Sequence, residues 1–359
     1  MAHPPADPPG LLPFPWSDPA VPGRHVLVLP EGIDADEVEA LAVSRFSVAG
    51  WDAPPDAGPA PSWGRGSRAG TPPRALRLSR HSRLVGPYEL GPGDAARLSV
   101  PASSATAFVV ECPRERGERP YPGADREGIN RAFPDGLPVR DEERVVRWLV
   151  AVARRVGGAL RIGTEDGVVL IPDVQADLDL TVYADVWLEP RAALAVMQRV
   201  TPHARLAMDP VPWAGPPPGT GERGAPGTTG LADRVRRNLH AEADAYDVAA
   251  LSAPDELTGY GVQTDLGVDG ILVLEVAGEE VLPLVLRALP WAEGGAVAYR
   301  VRWEAPDFQE LELERPSLAH RVARGRAQPL VSALARKLHG AVGGEVADAA
   351  EFLVDPADL

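Results

Sequence analysis

Short apolar runs alternate with helical periodicities along most of the chain. His25 to Leu29 reads as a strand, and Asp34 with Glu37 three residues later forms a capping-box-like start for a helix through Leu41. Residues 75–90 predict a hairpin or meander, and Thr106 to Cys112 a buried strand. From Asp141, the apolar positions Val145, Val146, Trp148, Leu149, Val152 and Val156 cover one arc of a helix that Gly157-Gly158 ends. Ala159 to Ile162 and Gly167 to Ile171 read as two further short strands.

The second half repeats the alternation. Leu178 to Leu188 predicts a long strand, and Pro190 stands at the first position of a helix ending near Val200. Leu231 to Ala250 reads as helical, Gly261 to Leu266 and Ile271 to Val276 as strands, and Glu279 to Leu289 as a short helix. Ala296 to Trp303 follows as a strand, then a helix from Ser317 to His339 that Pro329 is expected to kink or split, then Glu345 to Val354. Strands interleaved with helices, without strict βαβα repetition, predict an α+β fold of two sheet-plus-helix modules of ferredoxin-like type. The order of elements is similar in both halves, but no repeat of residues accompanies it.

Composition sets the boundaries. The chain has 359 residues with 39 prolines and 36 glycines, and these concentrate in residues 1–22, 51–73 and 211–230. We therefore expect a disordered tail (1–22), an N-terminal module (23–172) with a flexible loop at 51–73, and a C-terminal module (173–359), with 211–230 as a Pro/Gly-rich linker or loop. The net charge of −15 argues against a nucleic-acid partner, because phosphate neutralisation needs a basic face. Cys112 is the sole cysteine and Lys337 the sole lysine, which excludes an internal disulfide, a Cys-based metal cluster within one chain and a Walker loop. The start of the chain has neither a basic nor an apolar segment, so the expectation is a cytoplasmic protein with no membrane contact.

Candidate chemistry is sparse. Gly219, Gly221 and Gly224 fit a dinucleotide fingerprint only in spacing, since no strand precedes them; Gly91, Gly93 and Ala96 read as a turn, because Pro101 leaves no room for a crossover helix. Asp177, Asp179, Thr181, Tyr183 and Asp185 share one face of the expected strand, opposite Leu178, Leu180, Val182, Ala184 and Val186. Carboxylates two residues apart on a strand are about 7 Å from one another and suit one Mg²⁺ or Mn²⁺. Gly157-Gly158 followed by Asp177-Leu178-Asp179-Leu180 resembles the signature of nucleotidyltransferase-fold enzymes, in which a glycine turn holds nucleotide phosphates and strand carboxylates bind the metal. The resemblance covers a short stretch. It departs from the family in its longer spacing, in Ala159 where Ser is common, and in lacking a placed third carboxylate; the plain alternative is a solvated acidic strand face beside a helix cap.

Pro113 to Pro138 is a long arginine-rich connection in which Arg126, Asn130, Arg131 and Tyr121 are candidates for holding a small anion, although interspersed acids can balance them on a solvated loop. Arg321, Arg324, Arg336 and Lys337 form a basic helical surface suited to an acidic partner or a second copy of the chain. No complete catalytic constellation emerges. The expected function is binding, of a protein or a small anion, without chemistry or cofactor; the alternative is metal-dependent phosphoryl or nucleotidyl transfer through Asp177 and Asp179.

Overall fold

A computed structural model describes residues 11–52, 73–207 and 258–359, with a few positions between 232 and 242. The predicted helix at 231–250 and the proline-rich stretches at 53–72 and 211–230 lie mostly or wholly outside the described residues. The fold is mixed α+β: two antiparallel sheets with a few helices.

The first sheet has the order β3-β4-β5-β6-β2-β7-β8, with β1 (Leu12–Pro13) beside β5. Its strands are β2 (His25–Pro30), β3 (Gly50–Trp51), β4 (Arg74–Arg77), β5 (Arg83–Glu89), β6 (Ser104–Glu111), β7 (Ala159–Arg161) and β8 (Val169–Leu170). Helices α1 (Ala35–Val43), α3 (Ile129–Ala132) and α4 (Arg140–Val156) cover one face, burying Leu27, Leu29, Phe108, Val145, Trp148 and Leu149. The short helix α2 (Pro92–Leu98) and residues 11–23 cover the other face, where Phe14, Val21 and Leu98 meet Val26, Val28 and Ala107. A strand covered on both faces has no use for polar alternation, which is why β2 reads as a continuous apolar run.

Two local readings change here. From residue 11 the proline-rich start is packed rather than loose, because it carries Phe14 and Trp16; the Trp16 indole donates to Asp94 at 2.6 Å and Arg97 stacks on its ring. The Gly91 turn opens a seven-residue helix, since Asp94 reaches back to accept from the Gly91 amide at 3.0 Å.

The second sheet has the order β10-β11-β12-β13-β9-β14-β15. Its strands are β9 (Leu180–Ala184), β10 (Arg205–Leu206), β11 (Gly259–Asp265), β12 (Ile271–Glu279), β13 (Ala296–Glu304), β14 (Glu345–Asp348) and β15 (Leu353–Val354). Helices α5 (Pro190–Gln198) and α6 (Leu318–Val342) cover one face. Leu282, Leu286 and Ala292 cover the other, against Tyr183, Ala298 and Ala347. The stretch expected as a helix from Glu279 is instead the end of β12 followed by one 3-10 turn at Leu284–Leu286, which starts after Pro283. Pro329 leaves α6 unbroken: it and Gly325, whose carbonyl loses its helical partner, both lie on the exposed side, where that carbonyl is open to solvent. Residues 211–230 fall between β10 and β11 of this one sheet, so they do not join the modules; residues 171–179 do.

Both sheets are built to one plan. In each, a central strand lies between the strand that precedes the long helix and the strand that follows it (β6-β2-β7 and β13-β9-β14), and a helix follows each central strand, as α1 follows β2 and α5 follows β9. The registers agree as well: Val28 is opposite both Ala107 and Ala159, and Tyr183 is opposite both Ala298 and Glu345. Each long helix ends in Val-Gly-Gly, with Gly157 and Gly343 at positive φ. The second glycine runs against the central strand, where a Cβ on Gly158 would strike the Val28 carbonyl and one on Gly344 the Tyr183 carbonyl. The two halves thus share this Val-Gly-Gly triplet at the matching place of each sheet.

The units are joined by a plug. The turn between β14 and β15 carries Phe352, fully buried in the core of the first unit beside α4 residues. Phe352→Ala is expected to lower stability by about 3–5 kcal/mol, the usual loss for truncating a buried aromatic. Urea unfolding of the full chain reads this, and a loss below 1 kcal/mol would show that the plug does not hold the units together.

Candidate functional site

The segment between the sheets is held by arginines from both sides. Asp177 accepts from Arg126 of the arginine-rich connection and from Arg154 in the last turn of α4, and Arg154 also grips Glu127. Asp173 accepts from the buried Arg324 of α6 at 2.5 Å and from the Gln175 amide at 3.0 Å. Burial pushes the Asp173 carboxyl up, but these bonds and the Arg324 charge outweigh it and hold it below its ordinary value. Outside this segment, Arg131 pairs with Glu314 at 2.7 Å and the Asp125 amide donates to the Glu312 carbonyl at 3.2 Å.

A cleft of about 270 Å³ opens at this junction. Arg154 and Arg155 of α4, Gln328 and Ser332 of α6, Asp177 and Asp179 ahead of β9, and Asp348 at the end of β14 contribute to its wall. Asp179 accepts from the Trp303 amide at 3.1 Å, and its nearest cation is Arg302 at 3.7 Å. Asp348 accepts from the amides of Ala350 and Phe352 at 2.9 and 3.0 Å, with Arg155 at 3.7 Å. Burial pushes both carboxyls above their ordinary range; the amides and arginines offset only part of it, and the charge of Asp177 adds to it. The cleft therefore holds two carboxylates whose nearest guanidinium groups stand at 3.7 Å, Asp348 mostly buried and Asp179 with 41% of its side chain open to solvent.

The residues singled out from sequence fall as follows. Arg126 and Asp177, read as parts of two different sites, are one ion pair. Asn130 closes its own loop, its side chain donating to the Ala124 carbonyl and its amide to Asp125. Arg131 is occupied by Glu314, and Tyr121 is exposed. Arg321, Arg336 and Lys337 are exposed on α6, whereas Arg324 turns inward, in phase with His320, Ala327 and Val331. That helical phase was readable in the sequence. Asp177 and Asp179 precede β9, which is shorter than the expected strand, and Tyr183 on the supposedly solvated face is buried, because β9 is paired on both edges and covered on both faces. The Asp348 wall of the cleft was missed, since nothing local links a C-terminal hairpin to Asp179.

A divalent cation fits poorly at Asp177 and Asp179: both oxygens of Asp177 are taken by guanidinium groups, and Asp179 is tied to a backbone amide. Gly157-Gly158 likewise caps α4 and packs on β2. Among the described residues, His25, Cys112 and Glu142 form the group of three metal-ligating side chains whose ligand atoms lie within 4.8 Å of one another. Its hydrogen bonds oppose ligation. The Gly163 amide donates to His25 Nδ1 at 3.0 Å, which assigns the proton to Nε2, 3.1 Å from Glu142. Burial, then the Glu142 and Asp141 charges, push the Cys112 thiol up to about 12, far from a reactive thiolate.

Comparisons with protein-family models, with curated proteins and with solved structures found no match. The resemblance to nucleotidyltransferase-fold enzymes thus rests on its few residues alone.

Burial pushes the Glu142 carboxyl up, but hydrogen bonds from His25, Arg116 and the Glu115 amide, with the Arg116 charge, hold it below its ordinary value of 4.5. A lowered carboxyl stabilises the fold at neutral pH and loses that contribution as the pH falls through its folded-state value. Glu142→Ala, which strands Arg116 and His25, is expected to lose about 3–5 kcal/mol at pH 7. The difference from the unmodified chain should shrink in acid, as read by denaturant unfolding between pH 7 and pH 3.

Proposed function

We propose that the protein works by binding, without chemistry of its own, and that the junction cleft seats a small organic cation, an amine or a guanidine. One observation carries this reading: Asp179 and Asp348 line the cleft with their nearest guanidinium groups at 3.7 Å, whereas Asp177 and Asp173 are in direct contact with theirs. Carboxyls raised by burial disfavour the fold at neutral pH, and stability rises as protonation relieves them. A ligand ammonium group within hydrogen-bond reach would compensate the charge that the protein leaves open. The commitment of Asp177, Arg126 and Arg131 to internal ion pairs supports a cationic ligand over the small anion suggested by arginine content.

The shared strand–helix–strand–strand–helix–strand plan supports reading each unit as ferredoxin-like, with extra edge strands. The single cysteine suits a cytoplasmic setting. Among the described residues no helix is long and apolar enough to cross a membrane.

The test pairs stability with binding. Asp179→Asn and Asp348→Asn are each expected to raise the thermal midpoint at pH 7 and to weaken binding of 1,4-diaminobutane or argininamide at least tenfold by calorimetry. In the unmodified protein, affinity should fall as the pH drops into the range where these carboxyls protonate. Variants less stable than the unmodified chain, with no amine bound by any form, would sink the reading. Metal-dependent nucleotide turnover abolished by Asp179→Asn would replace it with transfer chemistry.

A further inference from the structure

The edge strand β8 borders an open groove of about 720 Å³ lined by Arg131, Val169, Ile171, Leu313, Glu314 and Arg315. The Ile162 amide donates to the Val168 carbonyl, so in the alternating pattern of an antiparallel pair Leu170 faces β7 while Val169 aims its backbone groups at the open edge, and Ile171 follows the last paired residue. In that pattern the amide and carbonyl of Val169 have no ladder partner, and among the described residues no hydrogen bond is made by the amide or carbonyl of Ile171. Both side chains line the groove, and Ile171 is 62% exposed, as is much of Leu313 across from it.

We infer that β8 is a docking edge for an extended acidic segment of a partner protein, which adds to the sheet as a further strand. Backbone pairing would supply two donors and two acceptors, and side chains alternating along the added strand would meet the apolar wall. Charge selects the occupant. Arg131 is paired with Glu314, and Arg315 is exposed without an ionic partner among the described residues, so the rim carries one open positive charge, that of Arg315, on a chain that is −15 overall. A second copy pairing β8 to β8 would bring Arg315 towards its own counterpart, which like-charge repulsion disfavours; an acidic segment is attracted to it. Pro172 ends the edge after Ile171 and limits pairing to a short stretch, which restrains open-ended sheet growth.

The test is selection of a random eight-residue peptide library on the full-length protein, followed by titration of the selected peptides. The expected winners alternate β-branched residues with Asp or Glu. Their affinity should drop at least tenfold with Arg315→Glu, a change at an exposed site that leaves folding intact. It should drop similarly when the peptide amides on one alternate set are N-methylated, and not when the other set is. Selection of peptides without acidic bias, indifference to Arg315→Glu, or equal tolerance of both methylation sets would overturn the proposal. So would a homodimer in light scattering that Ile171→Asp dissociates, because the edge would then be occupied by a second copy. Amine binding in the junction cleft does not enter this readout, so the two proposals fail independently.

Discussion

Arg154 is the point on which the arrangement turns. It leaves the last turn of α4, where a cation suits the helix terminus, and joins Glu127 of the arginine-rich connection to Asp177 of the segment between the sheets. With its side chain only 13% exposed, the guanidinium is largely withdrawn from water, so its partners must be in place for the chain to accept it. The path of residues 171–179, the closure of the arginine-rich connection and the wall of the cleft follow from that requirement. The Phe352 plug adds the apolar part of the same joint.

This joint explains why the molecule has surplus charge in one place and none in another. Around Asp173 and Asp177 each carboxylate meets a guanidinium, and the assembly is electrostatically closed. Asp179, two residues on, and Asp348 of the neighbouring strand meet backbone amides instead, with arginines only at 3.7 Å. The difference is geometric. Asp177 lies in an irregular segment that long side chains can reach from two units, whereas Asp179 and Asp348 are fixed at the ends of neighbouring strands, where the sheet decides what stands beside them.

The buried His25–Glu142–Arg116 group shows the same economy in the first unit. A histidine, a glutamate and a nearby cysteine have the composition of a metal or catalytic site. The Gly163 amide fixes the imidazole tautomer, and the glutamate then spends its oxygens on His25, Arg116 and the Glu115 amide. The group ties the arginine-rich connection to the sheet, and its chemistry is used up in doing so.

Much of this was legible in the sequence. Apolar period placed β2, β6, α4 and the long helix α6, and the glycine pair after α4 marked its end correctly, because helix caps and strand burial are set by residues close in the chain. Even the inward turn of Arg324 lies in the helical phase. What the sequence could not carry was which distant groups meet. That 211–230 interrupts one sheet rather than joining two, that Arg126 answers Asp177, and that Asp348 completes a cleft with Asp179 all depend on strand order, which local periodicity does not encode. The sequence by itself determined the elements and their apolar faces, since these arise from short-range backbone and burial preferences. Tertiary structure alone decided which charges are paired and which stay open, because the partner of a buried charge is chosen by position in space.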